Sequence, residues 1–568
     1  MKRNIAWKAL AATGVAALAL TGCGSGNTAP KVAKGATGLV GYTTVPASQV
    51  QQGGTLNLAT PYIPTSVGNW NGDTSEGAEG DAWNVESPAA CAMIVGTANG
   101  GWKVDPDYAS SLKLVSTSPQ VVEAKLNPKA VWQDGSPITA TDYKATFAAL
   151  SGKSSKYDLA SSAGYNDISS FDIVSPTDFK ITFAKPYADW ASLFGGDPST
   201  VLPANVANDP QLWNRGYTNK PLPSCGPFVA TKVDNSAKVV DYKPNPKWWG
   251  TKPKLSEITF TEMNDSTQAQ AYVNNEVDAV EVDQDVDGYR TAKAKPDSKV
   301  MRSAGLTWSQ LTFNGTKWPL NDQAVRQAIS HAFNRKLVAE TANAPVGYPA
   351  QTQGSFIFMP GQAGYTDVVD KNLGYSPAKA KALLKGDGWT LAGGKWTKGG
   401  KTLTLSITIT PSSSTEKQRA ELFQNSLAAI DIPVHITNVP DADLFPDIMG
   451  GNYQVCTFSW GGTAFPISSS ESLFYPAGRP GGNGQNFSFI TDPSLGGLWN
   501  QANVQLDPAK RLKIAEQIDQ KLSQLVTMLP IAPAPLVVIA NKNLANYGPS
   551  MFLSHDWTTI GFTSSASS

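Results

Sequence analysis

Between residues 402 and 439 the apolar period changes twice, and that change restricts the fold more than any other stretch of the chain. Leu403, Leu405, Ile407 and Ile409 alternate with Thr and Ser, the pattern of a strand. Ser412 to Thr415 then offer N-cap oxygens, and Ala420, Phe423, Leu427 and Ile430 recur at helical spacing before Val434 and Ile436 return to a period of two. Parallel strands joined by a helix need a right-handed crossover and a sheet covered on both faces, so the chain is read as α/β. Further helices are predicted from Ser376-Pro377 to Gly386 and from Asp507-Pro508 through Leu525, with apolar stripes that belong to a core. Strands are expected at 55–59, 121–126, 179–183 and 258–263, and no repeat period points to a solenoid or propeller.

The 568 residues allow three to four folding units at roughly 150 residues each, with room for clefts between them. Lys and Arg together number 46, as do Asp and Glu, a balance that argues against a nucleic-acid partner. Three histidines make a histidine-built metal site improbable, and no metal or cofactor is expected.

Lys2, Arg3 and Lys8 precede an apolar stretch from Ala9 to Leu20, too short to span ~30 Å of hydrocarbon. It closes in Leu20-Thr21-Gly22-Cys23, which resembles the lipobox of bacterial lipoproteins. Residues 1–22 are therefore read as a signal peptide and Cys23 as the lipidated first residue of a membrane-anchored mature chain of net charge −3. Residues 23–52, rich in Gly, Ser, Ala and Thr, are read as a flexible tether that could extend up to ~100 Å. Cys91, Cys225 and Cys456 remain. From the residues alone, one bridge with one leftover thiol and three buried thiols are both open.

Six segments in order carry a wider resemblance. Val122 to Leu150 contains Trp132, Asp134-Gly135 and Asp142; Pro223 to Phe228 ends in Gly226-Pro227-Phe228; Asn245-Pro246-Lys247-Trp248-Trp249 follows. Glu276-Val277-Asp278, Phe313-Asn314, and Val325-Arg326-Gln327-Ala328 with Asn334-Arg335 complete the set. Together they resemble the large solute-binding proteins of ABC importers, the family of oligopeptide- and dipeptide-binding proteins. Ser224-Cys225 and Asn275 depart from its usual residues. The resemblance implies a two-lobed periplasmic-binding-protein-like fold of type II, with an extra subdomain and a hinge between the lobes. Lobe I would take residues 53–308, including a subdomain at about 91–221, lobe II residues 309–529, and residues 530–568 would return to lobe I. It also implies a monomer that closes on a peptide or other small solute and presents it to permease subunits. Cys91 and Cys225 would then share lobe I, so they are assigned as the pair and Cys456, in lobe II, as free.

In peptide-binding relatives a Trp followed three residues later by Asp contacts the solute, the carboxylate meeting its ammonium. The matching segment here is Trp460-Gly461-Gly462-Thr463, with a hydroxyl where the acid is expected. Asp81, Glu86 and Glu471 are the candidate replacement acids; otherwise the solute lacks a free N-terminus. The predicted ligand set is Trp460, Gly461, Thr463 and Asn486 from lobe II, with Trp70, Asn71 and Trp83 from the loop after the first strand. For each tryptophan the alternative is core packing. An oligosaccharide is the second solute class, since indoles and amides serve it equally. A glycoside hydrolase could nominate Asp441 with Asp443 or Glu471, but nothing around them supports paired carboxylates. No Gly-x-Ser-x-Gly elbow occurs in the mature chain, and His331, His435 and His555 sit in apolar segments, so no enzyme is expected.

Overall fold

The computed structural model describes residues 38–64, 69–75, 77–78, 81–195, 201–476 and 484–564. The signal peptide, Cys23 and the tether up to residue 37 lie outside the described residues. The rest of the tether reading is corrected. Gly41 N–H donates to Pro549 O at 2.9 Å, Val40 bridges to Ser550, and Gln51 N–H donates to Phe562 O, so residues 38–52 dock on the body instead of running free.

The predicted strand–helix–strand unit forms as Leu405–Ile409, Ser414–Ala428 and Val434–Asn438, its strands parallel from Leu405 opposite Val434 to Ile409 opposite Asn438. Ser413, within the expected cap cluster, accepts from Glu416 N–H. Ser376 and Asp507 likewise cap helices Pro377–Gly386 and Pro508–Leu525. Thr139 and Asp142 form a reciprocal capping box at the start of Ala140–Leu150.

One mixed ten-stranded sheet runs through the molecule in the order Val434–Asn438, Leu405–Ile409, Val455–Gly461, Ser298–Phe313, Met528–Asn541, Ala279–Glu281, Thr55–Thr60, Glu257–Glu262, Val239–Pro244, Phe228–Asp234. Two separate apolar cores pack against its halves. One gathers Leu56, Val122, Ile181, Trp213 and Tyr242, the other Leu311, Ile329, Phe423, Trp499 and Leu522. A four-stranded sheet of Ala109–Thr117, Gln120–Leu126, Asp178–Phe183 and Ile168–Ser175 enlarges the first lobe.

Two long antiparallel strands, Ser298–Phe313 and Met528–Asn541, cross from one lobe to the other. Their ladder is regular from Ser298 to Ala304, breaks, and resumes at Trp308 opposite Pro533. Pro530, Pro533 and Pro535 bring no N–H to this stretch, so it is the weakest part of the ladder and the natural hinge. Val346 and Tyr348 pack with Tyr272, Val280, Tyr289, Val537 and Ile539 in a third apolar cluster against the regular part of the ladder.

Candidate functional site

Strand Val455–Gly461 lies between Leu405–Ile409 and Ser298–Phe313 and runs toward lobe I, ending where the hinge ladder breaks. Trp460, opposite Trp308, is the last large side chain before it ends. Its ring stacks on Phe487 at 5.7 Å and 18° and meets Phe458 edge-on at 5.0 Å, while its indole N–H is buried with no protein acceptor. Phe445, 46% exposed, stands edge-on to Phe458 at 5.4 Å and extends this aromatic surface to solvent. Gly461 is exposed, and the space where a Cβ would sit is open. Trp460 and Gly461 thus form a half-open platform at the junction of the lobes.

The other two predicted contacts in lobe II prove to have structural duties. The Thr463 hydroxyl accepts from Phe465 N–H at 3.0 Å and donates to Ser469 at 3.0 Å, tightening the turn into helix Pro466–Phe474. Asn486 is buried; its amide donates to Phe474 O and Ile490 O at 2.9 Å each and its oxygen accepts from Ser488 at 2.6 Å. Both amide protons are committed, leaving none for a solute.

Lobe I corrects the sequence reading more strongly. Trp70 is wholly enclosed in the lobe I core. Asn71 donates to Trp213 O at 3.1 Å, and Asn69 donates to Asn214 O at 2.8 Å while accepting from Asn71 N–H. The paired Trp and Asn residues therefore pin their loop to helix Pro210–Arg215. Trp83, half-buried in the short helix Asp81–Glu86, is the one member of the lobe I set that keeps a solvent-facing surface.

Of the candidate acids, the side chain of Asp81 lies outside the described residues. Glu86 is enclosed in lobe I, where burial, with Asp73 adding to it, pushes its carboxyl well above the usual range. Enclosed in this way, it does not reach a surface where it could meet a solute's ammonium. Glu471 faces the lobe boundary, accepts from Asn503 at 2.6 Å, and is also raised by burial.

Cys91 and Cys225 are joined as a disulfide with their Cα atoms 5.5 Å apart, and Cys456 is a buried free thiol whose pKa burial raises strongly. Among the described residues, no group of three or more His, Cys, Asp or Glu could hold a metal ion, and no helix is long and apolar enough to cross a membrane.

Comparison with known proteins agrees with this architecture. Residues 103–482 match the model of the bacterial extracellular solute-binding proteins, family 5, middle region. The chain belongs to that family. It is 31% identical over 560 residues to the oligopeptide-binding protein OppA of Mycobacterium bovis, covering 96% of this chain and 92% of that relative. Two solved structures share its fold. The periplasmic EDTA-binding protein EppA has a TM-score of 0.82 at 22% identity, covering 91% of this chain and 97% of the other. The oligopeptide-binding protein AppA of Bacillus subtilis, in complex with a nonapeptide, has a TM-score of 0.73 at 18% identity, covering 90% of this chain and all of the other. Family 5 proteins are the extracytoplasmic solute-binding components of ABC transporters, and this chain is one of them.

The aromatic neighbours of Trp460 were not visible in the sequence. Phe458 shares a strand face with Trp460 two residues on, but Phe445 and Phe487 come from a helix and a loop that no local spacing connects to it.

Proposed function

We propose that this family 5 protein captures an oligopeptide between its lobes and delivers it to ABC permease subunits, as a monomer held at the membrane by lipid on Cys23. The lobes divide near 308–309, and the chain returns to lobe I after about 530. One observation carries the solute reading: Trp460 is a half-buried indole beside exposed Gly461 at the lobe boundary, while the position where an acid is expected holds Thr463, whose hydroxyl bonds within its own turn. An indole face suits a peptide unit, whose flat amide stacks on it. The lack of a carboxylate at Thr463 favours a peptide recognised along its length over one gripped by its ammonium. Identity to an oligopeptide-binding relative over nearly the whole chain supports the same class.

Native mass spectrometry of the protein purified from its own host tests this reading. A ladder of peptide masses released on denaturation is expected; a single non-peptide mass, or glycan masses, would overturn it. Cys23→Ala should release the protein from membranes or leave it unprocessed, and a variant that stays in the membrane fraction with acyl label would refute the anchor.

A further inference from the structure

Apart from the two crossing strands, the lobes meet a second time. The first lobe contributes the turn after strand Asp178–Phe183, and the second contributes helices Pro466–Phe474, Pro493–Val504 and Pro508–Leu525. Asp189 and Arg511 face each other there as a two-pronged pair at 2.5 and 2.6 Å, with only 7% and 12% of their side chains exposed. Arg511 is aimed by a third bond, from its Nε to Ala502 O at 2.9 Å. Next to the pair, Ala188 N–H donates to Asn503 O at 2.7 Å, and Asn503 donates to Glu471, whose carboxylate also feels Lys185. Phe465, at the tip of the loop that begins at Trp460, packs against the lobe I core.

We propose that Asp189 and Arg511 form a latch that holds the two lobes closed, so that its strength sets how readily solute enters and leaves the cleft. The two junctions differ in kind. At the hinge the lobes share strands and an apolar cluster, and separating them would expose core. At the latch they are joined mainly by ions and hydrogen bonds, which water can replace when the lobes part. Bidentate guanidinium–carboxylate geometry is demanding, so the attraction is full only in the closed form and is lost after a small rotation. An attraction confined to one of two states shifts their populations by its whole strength. The inference goes beyond the nature of the solute and does not depend on it.

Hydrogen exchange tests it, because the Ala188 amide is itself bonded across the boundary. The full-length protein is stripped of solute by unfolding in guanidinium and refolding, then followed by mass spectrometry. Asp189→Arg should raise exchange in peptides containing Ala188 and residues 462–467 by about 10- to 100-fold, with hinge-strand peptides around Val537 unchanged. The charge swap Asp189→Arg with Arg511→Asp should return it toward the wild-type rate. Asp189→Asn, which keeps the shape of the side chain, should give a smaller rise and serves if the arginine variant does not fold. Unchanged exchange at Ala188 in Asp189→Asn, or a folded charge swap that exchanges as fast as Asp189→Arg alone, would overturn the latch. Neither result bears on which solute is bound.

Discussion

Trp70 and Trp460 stand in segments that suggest the two walls of a cleft, yet the fold uses them in opposite ways. Trp70 is closed into the lobe I core beneath asparagines that bond to main-chain carbonyls. Trp460 lies one residue from the end of its strand at the lobe boundary, stacked on Phe487 and half-buried. Both have a buried indole N–H without a protein partner. That orphan donor therefore does not separate the two; partial exposure at the lobe boundary does. Of the tryptophans expected at the cleft, only Trp460 in lobe II and Trp83 in lobe I keep partial exposure.

The sharpest way to break this contrast is to truncate both indoles. Trp70→Ala should destabilise the fold by about 3 to 5 kcal/mol, since it opens a cavity in a packed core, and chemical denaturation measures it. If Trp70→Ala keeps its stability and loses binding instead, the assignment of the two tryptophans is reversed. Asn486→Ala comes next. It strands the carbonyls of Phe474 and Ile490, so a loss of about 1 to 3 kcal/mol in folding stability is expected with affinity little changed. Trp460→Ala should do the converse, weakening binding of a peptide identified by mass spectrometry by about tenfold or more in calorimetry, with the melting transition nearly retained.

A gradual effect, read as a slope against pH, asks whether lobe II, away from its open wall, is as tightly closed as lobe I. Asp519 accepts from Phe356 N–H within the lobe II core, and burial pushes its carboxyl up to about 7. The unfolded group titrates near 4, so between about pH 4 and 7 the folded state keeps a proton that the unfolded state has lost. Folding stability should therefore fall as pH rises through that window, by about 1 kcal/mol per unit. Asp519→Asn, which can still accept from Phe356, should flatten that slope and be at least as stable as the native protein above pH 7. Parallel stability–pH curves for the two would show that Asp519 is solvated.

What the sequence by itself determined is local and periodic. The strand–helix–strand unit at 405–438 and the caps at Ser376 and Asp507 form where the pattern places them. Each depends on residues within a turn or two of one another, whose geometry the backbone sets. The tether reading failed from residue 38 onward because composition does not show that a polar segment has a groove to dock in. The ligand set was only partly legible for the same reason. A Trp or Asn carries the same chemistry in a core, a turn or a cleft, and tertiary packing alone decided that Asn486 and Asn71 would be spent on carbonyls while Trp460 kept partial exposure. The Asp189–Arg511 pair joins residues 322 positions apart, with no periodicity linking them, and exists only because two separately packed lobes bring their surfaces together.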